Sequence, residues 1–265
     1  MINQQIATEL AVQTWQVDAA IKLLDEGSTV PFIARYRKEA TGVLDDTQLR
    51  NLEERLVYLR ELNARRKIIL ESIEKQAKLT PQLAGLINAA DSKTRLEDLY
   101  LPYKTKRRTK AQIAIEAGLQ PLADDLLQDP TLHPEQAAQS YLNVALHINN
   151  VKDALDGAKQ ILMERFSLAA DLLAQLRQLG WQDAHWQTQV IDGKQQEGAK
   201  FQDYFEFQEA LKTIPSHRAL AILRGRNEGF LQATIKWSVN DHLPYESKVA
   251  SYWHIKDQGR AADKW

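Results

Sequence analysis

Residues 46–77 read DTQLRNLEERLVYLRELNARRKIILESIEKQA, and the rest of the chain is organised around this stretch. It lacks Gly and Pro and is rich in Leu, Glu, Arg and Lys, which favour helices. Its apolar residues recur at helical spacing, at Leu49, Leu52, Leu56, Leu59, Leu62, Ile69, Leu70, Ile73 and Ala77. At 1.5 Å per residue, the pattern predicts one helix about 48 Å long, with Asp45 or Asp46 as its N-cap.

Polar residues interrupt this apolar stripe at Asn63 and Arg66, where a coiled coil would need apolar side chains. We therefore expect a strut with different helices packed along its two halves. Within it, Glu61 and Arg65 have the i,i+4 spacing of an ion pair. The predicted fold class is mainly α, a multi-helix assembly around one long central helix with helix-turn-helix-like units. A short β-containing segment is expected near the C-terminus.

Shorter helices are predicted on both sides of the long one. Residues 2–12 and 14–26 have helical patterns, and Pro31 suits the first turn of a third helix. Short helices in this order resemble a helix-turn-helix in outline. Downstream, Thr80-Pro81 is typical of a helix start, and the segment from Thr94 to Glu97 has the pattern of a capping box.

The C-terminal part of the chain changes its periodicity. Apolar and polar residues alternate between Leu231 and Val239, which predicts a strand. Its expected partner is either residues 188–192 or a segment missing from this chain. The aromatic residues from Phe201 to Phe207 have helical spacing and are expected in a core. Before this change, helices are predicted at 110–118, 121–128, 134–146, 151–166 and 168–187. The predicted domains are therefore a helical region, residues 1–187, and a mixed α/β segment, residues 188–265.

Composition excludes several classes of site. There is no cysteine, so disulfides and thiolate metal sites are impossible. No two of the six histidines are three or four residues apart, and no Ser/His/Asp pattern is apparent, so we predict no metal, no cofactor and no catalytic residue. The N-terminus lacks the features of a signal peptide, and no apolar run is long enough to span a membrane. We expect a cytoplasmic protein without a membrane partner.

Charge is distributed unevenly along a chain whose net charge is −1. Residues 99–112 contain five basic residues and no acid, whereas residues 113–175 contain nine acids and three bases. The basic residues could bind phosphates while Tyr103 stacks on an unpaired base. The alternative is a solvated loop or one whose arginines pair with acids elsewhere. The predicted nucleic-acid-binding residues of this loop are Lys104, Lys106, Arg107, Arg108 and Lys110, with Tyr103.

A second and shorter basic cluster consists of Arg35, Arg37 and Lys38. It could extend the same phosphate-binding track. Because neighbouring positions on a short helix cannot all face one way, we expect some of these cations to form structural ion pairs instead.

Several blocks of the sequence resemble the bacterial transcription accessory protein Tex family. They are TVPFIARYRKEATG at 29–42, RLEDLYLPYKTKRRTKA at 95–111, GAKFQDYFE at 198–206, SHRALAILRGRNEG at 216–229 and the final GRAADKW. The resemblance extends over essentially the whole chain. It implies a longer protein in which an RNase H-like domain, helix-hairpin-helix units and an OB-type RNA-binding barrel follow this region. This chain would be the N-terminal helical region, so no catalytic residue is carried over.

Two functions remain open from the sequence. The first is a non-enzymatic module that associates with RNA or DNA in transcription without sequence preference, since no recognition helix stands out. The second is a helical scaffold that docks other Tex domains, RNA polymerase or ribosome components without binding nucleic acid itself. An exposed basic loop would favour the first function, and buried arginines paired with acids would favour the second.

Overall fold

The computed structural model describes residues 2–104, 108–237 and 244–265, and the chain divides into two compact units, Met1–Tyr103 and Lys104–Trp265. The fold is mainly helical with a small three-stranded sheet in the second unit, which confirms the predicted fold class. The first unit contains α1 (Ile2–Leu10), α2 (Thr14–Asp25), α3 (Val30–Tyr36), α4 (Asp46–Lys75), α5 (Pro81–Ala89) and α6 (Lys93–Tyr100).

The second unit contains eight α-helices among its described residues, and also the three strands that the structure describes. Its helices are α7 (Lys110–Glu116), α8 (Gln120–Gln128), α9 (Pro134–Gln139), α10 (Val151–Ser167), α11 (Ala170–Asp183), α12 (Ser216–Asn227), α13 (Pro244–Tyr252) and α14 (Ala261–Lys264). Its strands are β1 (His185–Val190), β2 (Glu206–Ala210) and β3 (Leu231–Lys236).

Helix α4 is the predicted long helix, and its 30 residues span about 45 Å. Asp45 caps it by accepting a hydrogen bond from the Gln48 amide at 2.7 Å, while the Gln48 side chain accepts one from the Asp45 amide at 3.0 Å. The helix ends two residues earlier than predicted, because Ala77 has a left-handed backbone (φ +55°). Its buried residues follow the predicted stripe: Leu49, Leu52, Leu56, Leu59, Leu62, Ile69 and Ile73.

Different helices pack along the two halves of α4, as predicted for a strut. Helices α1 and α2 form ion pairs with Arg55 and Arg60 in the N-terminal half, and α5 and α6 bond to Arg66 and Arg65 in the C-terminal half. Helix α3 also packs against α4. The prediction of a Glu61–Arg65 ion pair is wrong, because each residue pairs outside the helix. Arg65 donates to Glu97 of α6 at 2.6 Å, and Glu61 accepts from Lys93.

Arg66, which interrupts the apolar stripe, has a structural role. Its guanidinium donates to the carbonyl oxygens of Ile87 at 3.1 Å and of Ala90 at 2.7 Å, at the C-terminal end of α5. These carbonyl groups lie where a helix runs out of its own donors. A cation at this end also interacts favourably with the helix dipole. Arg66 therefore fastens the end of α5 to α4.

The short helices of the first unit agree with the sequence analysis except at one cap. Pro31 lies in the first turn of α3, and Thr80 caps α5 by accepting from the Leu83 amide at 3.2 Å. The capping box predicted at Thr94 is wrong, because Ser92 is the N-cap of α6 and accepts from the Arg95 amide. The helix-turn-helix resemblance stays a prediction.

The second unit has an apolar core between α7, α8, α9 and α10. The core consists of Ala111, Ala114, Leu119, Leu122, Ala123, Leu126, Ala138, Ile148, Ala154, Ala158, Ile161 and Leu162.

Two helices of the second unit are shorter than the sequence predicts. The helix predicted for 134–146 ends at Gln139, and the helix predicted for 168–187 ends at Asp183.

The sheet has the order β2-β1-β3, with β1 antiparallel to both neighbours. Pairing of β1 with β3 confirms the partner predicted for the C-terminal strand. Strand β2 was not predicted, because the aromatic residues around it have helical spacing. The prediction that these aromatic residues lie in a core holds for Phe201, which is buried, whereas Phe207 is only half-buried. The domain boundary predicted after residue 187 falls within β1 and stays a prediction.

Candidate nucleic-acid interface

The cations Arg35, Arg37 and Lys38 lie where α3 ends and a turn begins, and we refer to them as the α3 cluster. Helix α3 stops at Tyr36, so Arg37 and Lys38 belong to the turn and are not restricted to one helix face. All three side chains are exposed. None of them forms an ion pair with another described residue, so the expectation that some are structural pairs is not met within residues 2–104.

Two aromatic rings accompany the α3 cluster. The Phe32 and Tyr36 ring centroids are 5.4 Å apart, and their planes are tilted by 49°. The guanidinium carbon of Arg37 lies 5.5 Å from the centroid of the Phe32 ring, which is a cation–π distance. Sequence reasoning missed this pair, although the four-residue spacing of Phe32 and Tyr36 is the spacing at which helical side chains meet.

The turn that carries the cluster is held by side chains from α2 and from the turn itself. The buried hydroxyl of Thr41 lies 3.3 Å from the carbonyl oxygens of both Arg37 and Lys38, and donates to this pair. The Gln16 side-chain amide donates to the carbonyl oxygen of Gly42 at 2.8 Å. The amide of Val43 donates to the carbonyl oxygen of Lys38 at 2.8 Å. These bonds fix the backbone from which Arg37 and Lys38 project.

An open hollow of about 390 Å³ lies at this turn. It is lined by the three cations, by the acid Glu39, and by Tyr36 and Ala40. The excess of positive over negative charge makes the hollow suited to an anion such as a phosphate group.

The basic loop predicted between residues 104 and 110 is described only in part. Lys106 and Arg107 lie outside the described residues, and Lys104 and Lys110 are exposed. The Arg108 side chain is 65% exposed and donates to Glu116, with its Nε at 3.0 Å from the carboxylate oxygen. This hydrogen bond lowers the pKa of Glu116. Arg108 thus has the acid partner expected of a docking loop and the exposure expected of a phosphate-binding loop.

Tyr103 is half-buried at the end of the first unit. Its carbonyl oxygen accepts a hydrogen bond from the Gln76 side chain at 2.9 Å. Among the described residues of that unit, no ring contact joins Tyr103 to Phe32 or Tyr36. The stacking role predicted for Tyr103 stays a prediction, as do the roles of the loop cations.

No group of three or more His, Asp or Glu side chains among the described residues could hold a metal ion. None of the described helices is long and apolar enough to cross a membrane.

Comparison with known proteins identifies the family. The family model for the Tex-like protein N-terminal domain matches residues 1–74, and that for the Tex central region-like family matches residues 129–265. The chain belongs to the Tex family. The resemblance drawn from the sequence blocks is therefore confirmed.

Relatives of this Tex chain are much longer than the chain itself. It is 57% identical over 265 residues to "Protein YhgF" of Escherichia coli, covering 98% of this chain and 34% of that protein. It is 55% identical over 261 residues to "Transcriptional accessory protein Tex" of Neisseria gonorrhoeae, covering 97% of this chain and 34% of that protein. A human relative, "S1 RNA-binding domain-containing protein 1", is 29% identical over 252 residues, covering 92% of this chain and 25% of that protein. The chain thus spans about a third of the length of its bacterial relatives.

Proposed function

We propose that this chain is a non-enzymatic module of a Tex-type transcription accessory factor that associates with RNA or DNA without sequence preference. The observation that carries the proposal is the exposure of Arg35, Arg37 and Lys38 without an ion pair among the described residues. Unneutralised cations on a surface attract the phosphate backbone, which supplies most of non-specific binding. The names of the relatives also support a role with nucleic acid in transcription, since one is a transcriptional accessory protein and another contains an RNA-binding domain.

The basic loop is proposed as a second phosphate-binding segment. It would act through Lys104, Lys106, Arg107, Arg108 and Lys110. The exposure of Lys104 and Lys110 supports this role. Arg108 is partly neutralised by its ion pair with Glu116. We therefore expect the loop to contribute less per cation than the α3 cluster. The proposed function needs neither metal nor cofactor, and we place it with the transcription machinery in the cytoplasm.

A second candidate function is a scaffold that docks other Tex domains, RNA polymerase or ribosome components without binding nucleic acid. The ion pair between Arg108 and Glu116 favours it, because a cation that is already paired with an acid is less available to a phosphate. The two functions differ in one measurable property, which is the affinity of this chain for nucleic acid.

Fluorescence anisotropy with single-stranded RNA, single-stranded DNA and duplex DNA at several salt concentrations tests the proposal. We expect wild type to bind all three with an affinity that falls as salt rises. The triple variant Arg35→Gln, Arg37→Gln, Lys38→Gln should bind more weakly. The salt slope, which is the slope of log affinity against log salt concentration, should become shallower for single strands by about 0.7 for each phosphate that is no longer bound. The five-residue loop variant, with Lys104, Lys106, Arg107, Arg108 and Lys110 all changed to Gln, tests the second segment in the same assay.

A matched control separates local binding from net charge. The variant Arg50→Gln, Lys67→Gln, Lys75→Gln also removes three positive charges, but from exposed positions of α4 in the same unit. It should bind almost as wild type does. If wild type fails to bind at low salt, the nucleic-acid proposal is wrong and the scaffold function replaces it. If the control weakens binding as much as the α3 variant, the binding is not located at the α3 cluster.

A further inference from the structure

Tyr36 is an exposed aromatic ring at the centre of the α3 cluster. Its relative exposure is 62%, and the ring lies in the last position of α3, between Arg35 and Arg37 in the chain. Single exposed apolar residues are common on protein surfaces. Here, however, the ring lines the same hollow as three cations that form no ion pairs with described residues, and this is the composition of single-strand binding surfaces.

The neighbouring Phe32 supports the Tyr36 ring. Phe32 is 40% exposed, and its ring is contacted by Tyr36 at 5.4 Å and by the Arg37 guanidinium at 5.5 Å. Because these two groups cover Phe32, the more accessible ring of the pair is Tyr36. Despite the tilted contact with Phe32, most of Tyr36 is exposed to solvent.

The backbone around this ring is held in place before any ligand arrives. Thr41 is fully buried, and its hydroxyl bonds to the turn that carries Arg37 and Lys38. Val43, at the end of the turn, has a left-handed backbone with φ +64°, which is unusual for a β-branched residue. Such conformations persist where surrounding contacts fix the chain, and they occur preferentially at functional sites. Ordering of this turn therefore costs a ligand little.

We propose that Tyr36 stacks on one unpaired base and that the ligand of the α3 cluster is single-stranded nucleic acid. This inference rests on the proposed function. Arg35, Arg37 and Lys38 would bind the phosphates on either side of the stacked base, within the hollow of about 390 Å³. A duplex offers phosphates to the same cations, but its base faces are stacked on each other and unavailable to the ring. Stacking on Tyr36 therefore adds affinity for single strands alone.

An oligonucleotide without bases tests this inference directly. The probes are a single-stranded DNA and a single-stranded RNA of about 12 nucleotides, which is within the site size of known single-strand binders. A third probe is the same DNA strand with every base replaced by an abasic residue, so that only the phosphates and sugars remain. Wild type should bind the strands with bases more tightly than the abasic strand.

The variant Tyr36→Ala should lose about tenfold in affinity for the DNA and RNA strands with bases, which corresponds to one base–aromatic stack. Its affinity for the abasic strand and for duplex DNA should not change, and its salt slope should match that of wild type, because all phosphate-binding cations are retained. Tyr36→Trp should retain the preference for bases. Trp181→Ala, which removes a ring that is 59% exposed in the second unit, is the matched control and should bind as wild type does. Circular dichroism confirms that each variant is folded.

The outcomes separate the two proposals. If Tyr36→Ala binds all probes as wild type does, the stacking role is wrong, and Tyr36 is then a candidate protein-binding residue. If it weakens binding to the abasic strand and to the strand with bases equally, stacking is also wrong. In both cases the proposed function stands, provided that the triple variant Arg35→Gln, Arg37→Gln, Lys38→Gln loses affinity and salt slope. If wild type binds none of the probes, both proposals are wrong.

Discussion

Gly42 packs directly against the indole ring of Trp15. A Cβ atom at Gly42 would lie 2.4 Å from Cη2 of that ring, well inside the contact distance of two carbon atoms. The same Cβ would lie 2.7 Å from Nε2 of Gln16, the atom that donates to the Gly42 carbonyl oxygen. Gly42 also has φ +61°, a conformation that glycine adopts without strain. The turn that carries the α3 cluster therefore depends on the absence of a side chain at this position.

We predict that Gly42→Ala destabilises the first unit by about 1–3 kcal/mol, the range expected for a strained backbone and an overpacked contact. Urea unfolding followed by circular dichroism measures the change in stability. Gly27→Ala is the control, because Gly27 has φ +89° but nothing within 4 Å of its Cβ position. Equal destabilisation by the two substitutions would mean that Trp15 and Gln16 move aside at no cost.

Arg66 is expected to contribute more to stability than any exposed cation on α4. Arg66→Met keeps most of the side-chain volume but leaves the carbonyl oxygens of Ile87 and Ala90 without a charged donor. We predict a destabilisation of about 1.5–3 kcal/mol, the usual contribution of hydrogen bonds to a charged group, measured by urea unfolding. Lys67→Met is the adjacent control, since the Lys67 side chain is 80% exposed and its nearest ion pair is at 4.0 Å. An effect at Arg66 no larger than at Lys67 would contradict the role assigned to the guanidinium.

Acid should weaken the first unit partly through Glu9. Hydrogen bonds from Arg55, at 2.6 Å and 2.8 Å, lower the pKa of Glu9 from its usual value of 4.5. Because the pKa is lower in the folded state, this pair stabilises the fold above the unfolded-state pKa. The contribution disappears as the pH falls from about 4.5 through the folded-state pKa. Both side chains are about one-third exposed, so the contribution is less than about 1 kcal/mol.

The measurement for Glu9 is the free energy of unfolding at pH 7 and at pH 3 for wild type and for Glu9→Gln. We expect the variant to be less stable than wild type at pH 7 and this difference to be smaller at pH 3, because Glu9 becomes increasingly protonated as the pH falls below 4.5. Glu53→Gln, at an exposed position of α4, should change little at either pH. An unchanged difference between wild type and Glu9→Gln at the two pH values would show that the charge of Glu9 does not contribute.

The sequence predicts α4 well because its signal is local and repeated. Apolar residues at helical spacing predict the element to within two residues, and the sequence restricts the cap to Asp45 or Asp46, of which the structure has Asp45. The partners of its charged residues cannot be predicted in this way. Arg65 has a favourable neighbour at Glu61, yet it bonds to Glu97, which is 32 residues away in the chain. Only the packing of α6 against α4 decides between the two carboxylates.

The candidate site illustrates the same limit. The cations of the α3 cluster are evident in the sequence, and so is the spacing of Phe32 and Tyr36. What cannot be predicted is that α3 ends at Tyr36 and that the following turn is fixed by Gln16, a residue of α2. That tertiary contact helps to hold the turn from which Arg37 and Lys38 project. Strand β2 was missed for a related reason, because pairing with β1 overrides a helical spacing of aromatic residues.

The two compact units make a prediction about fragments that differs from the domain boundary predicted from the sequence. Residues 1–103 contain all of α1–α6 and their contacts with α4, so this fragment should unfold in one cooperative transition. Residues 104–265 should do the same. Residues 188–265 should not, because they lack His185, Trp186 and Gln187, half of the strand that pairs with both β2 and β3. Urea unfolding of the three fragments tests this, and a cooperative transition in residues 188–265 would support the boundary at residue 187 instead.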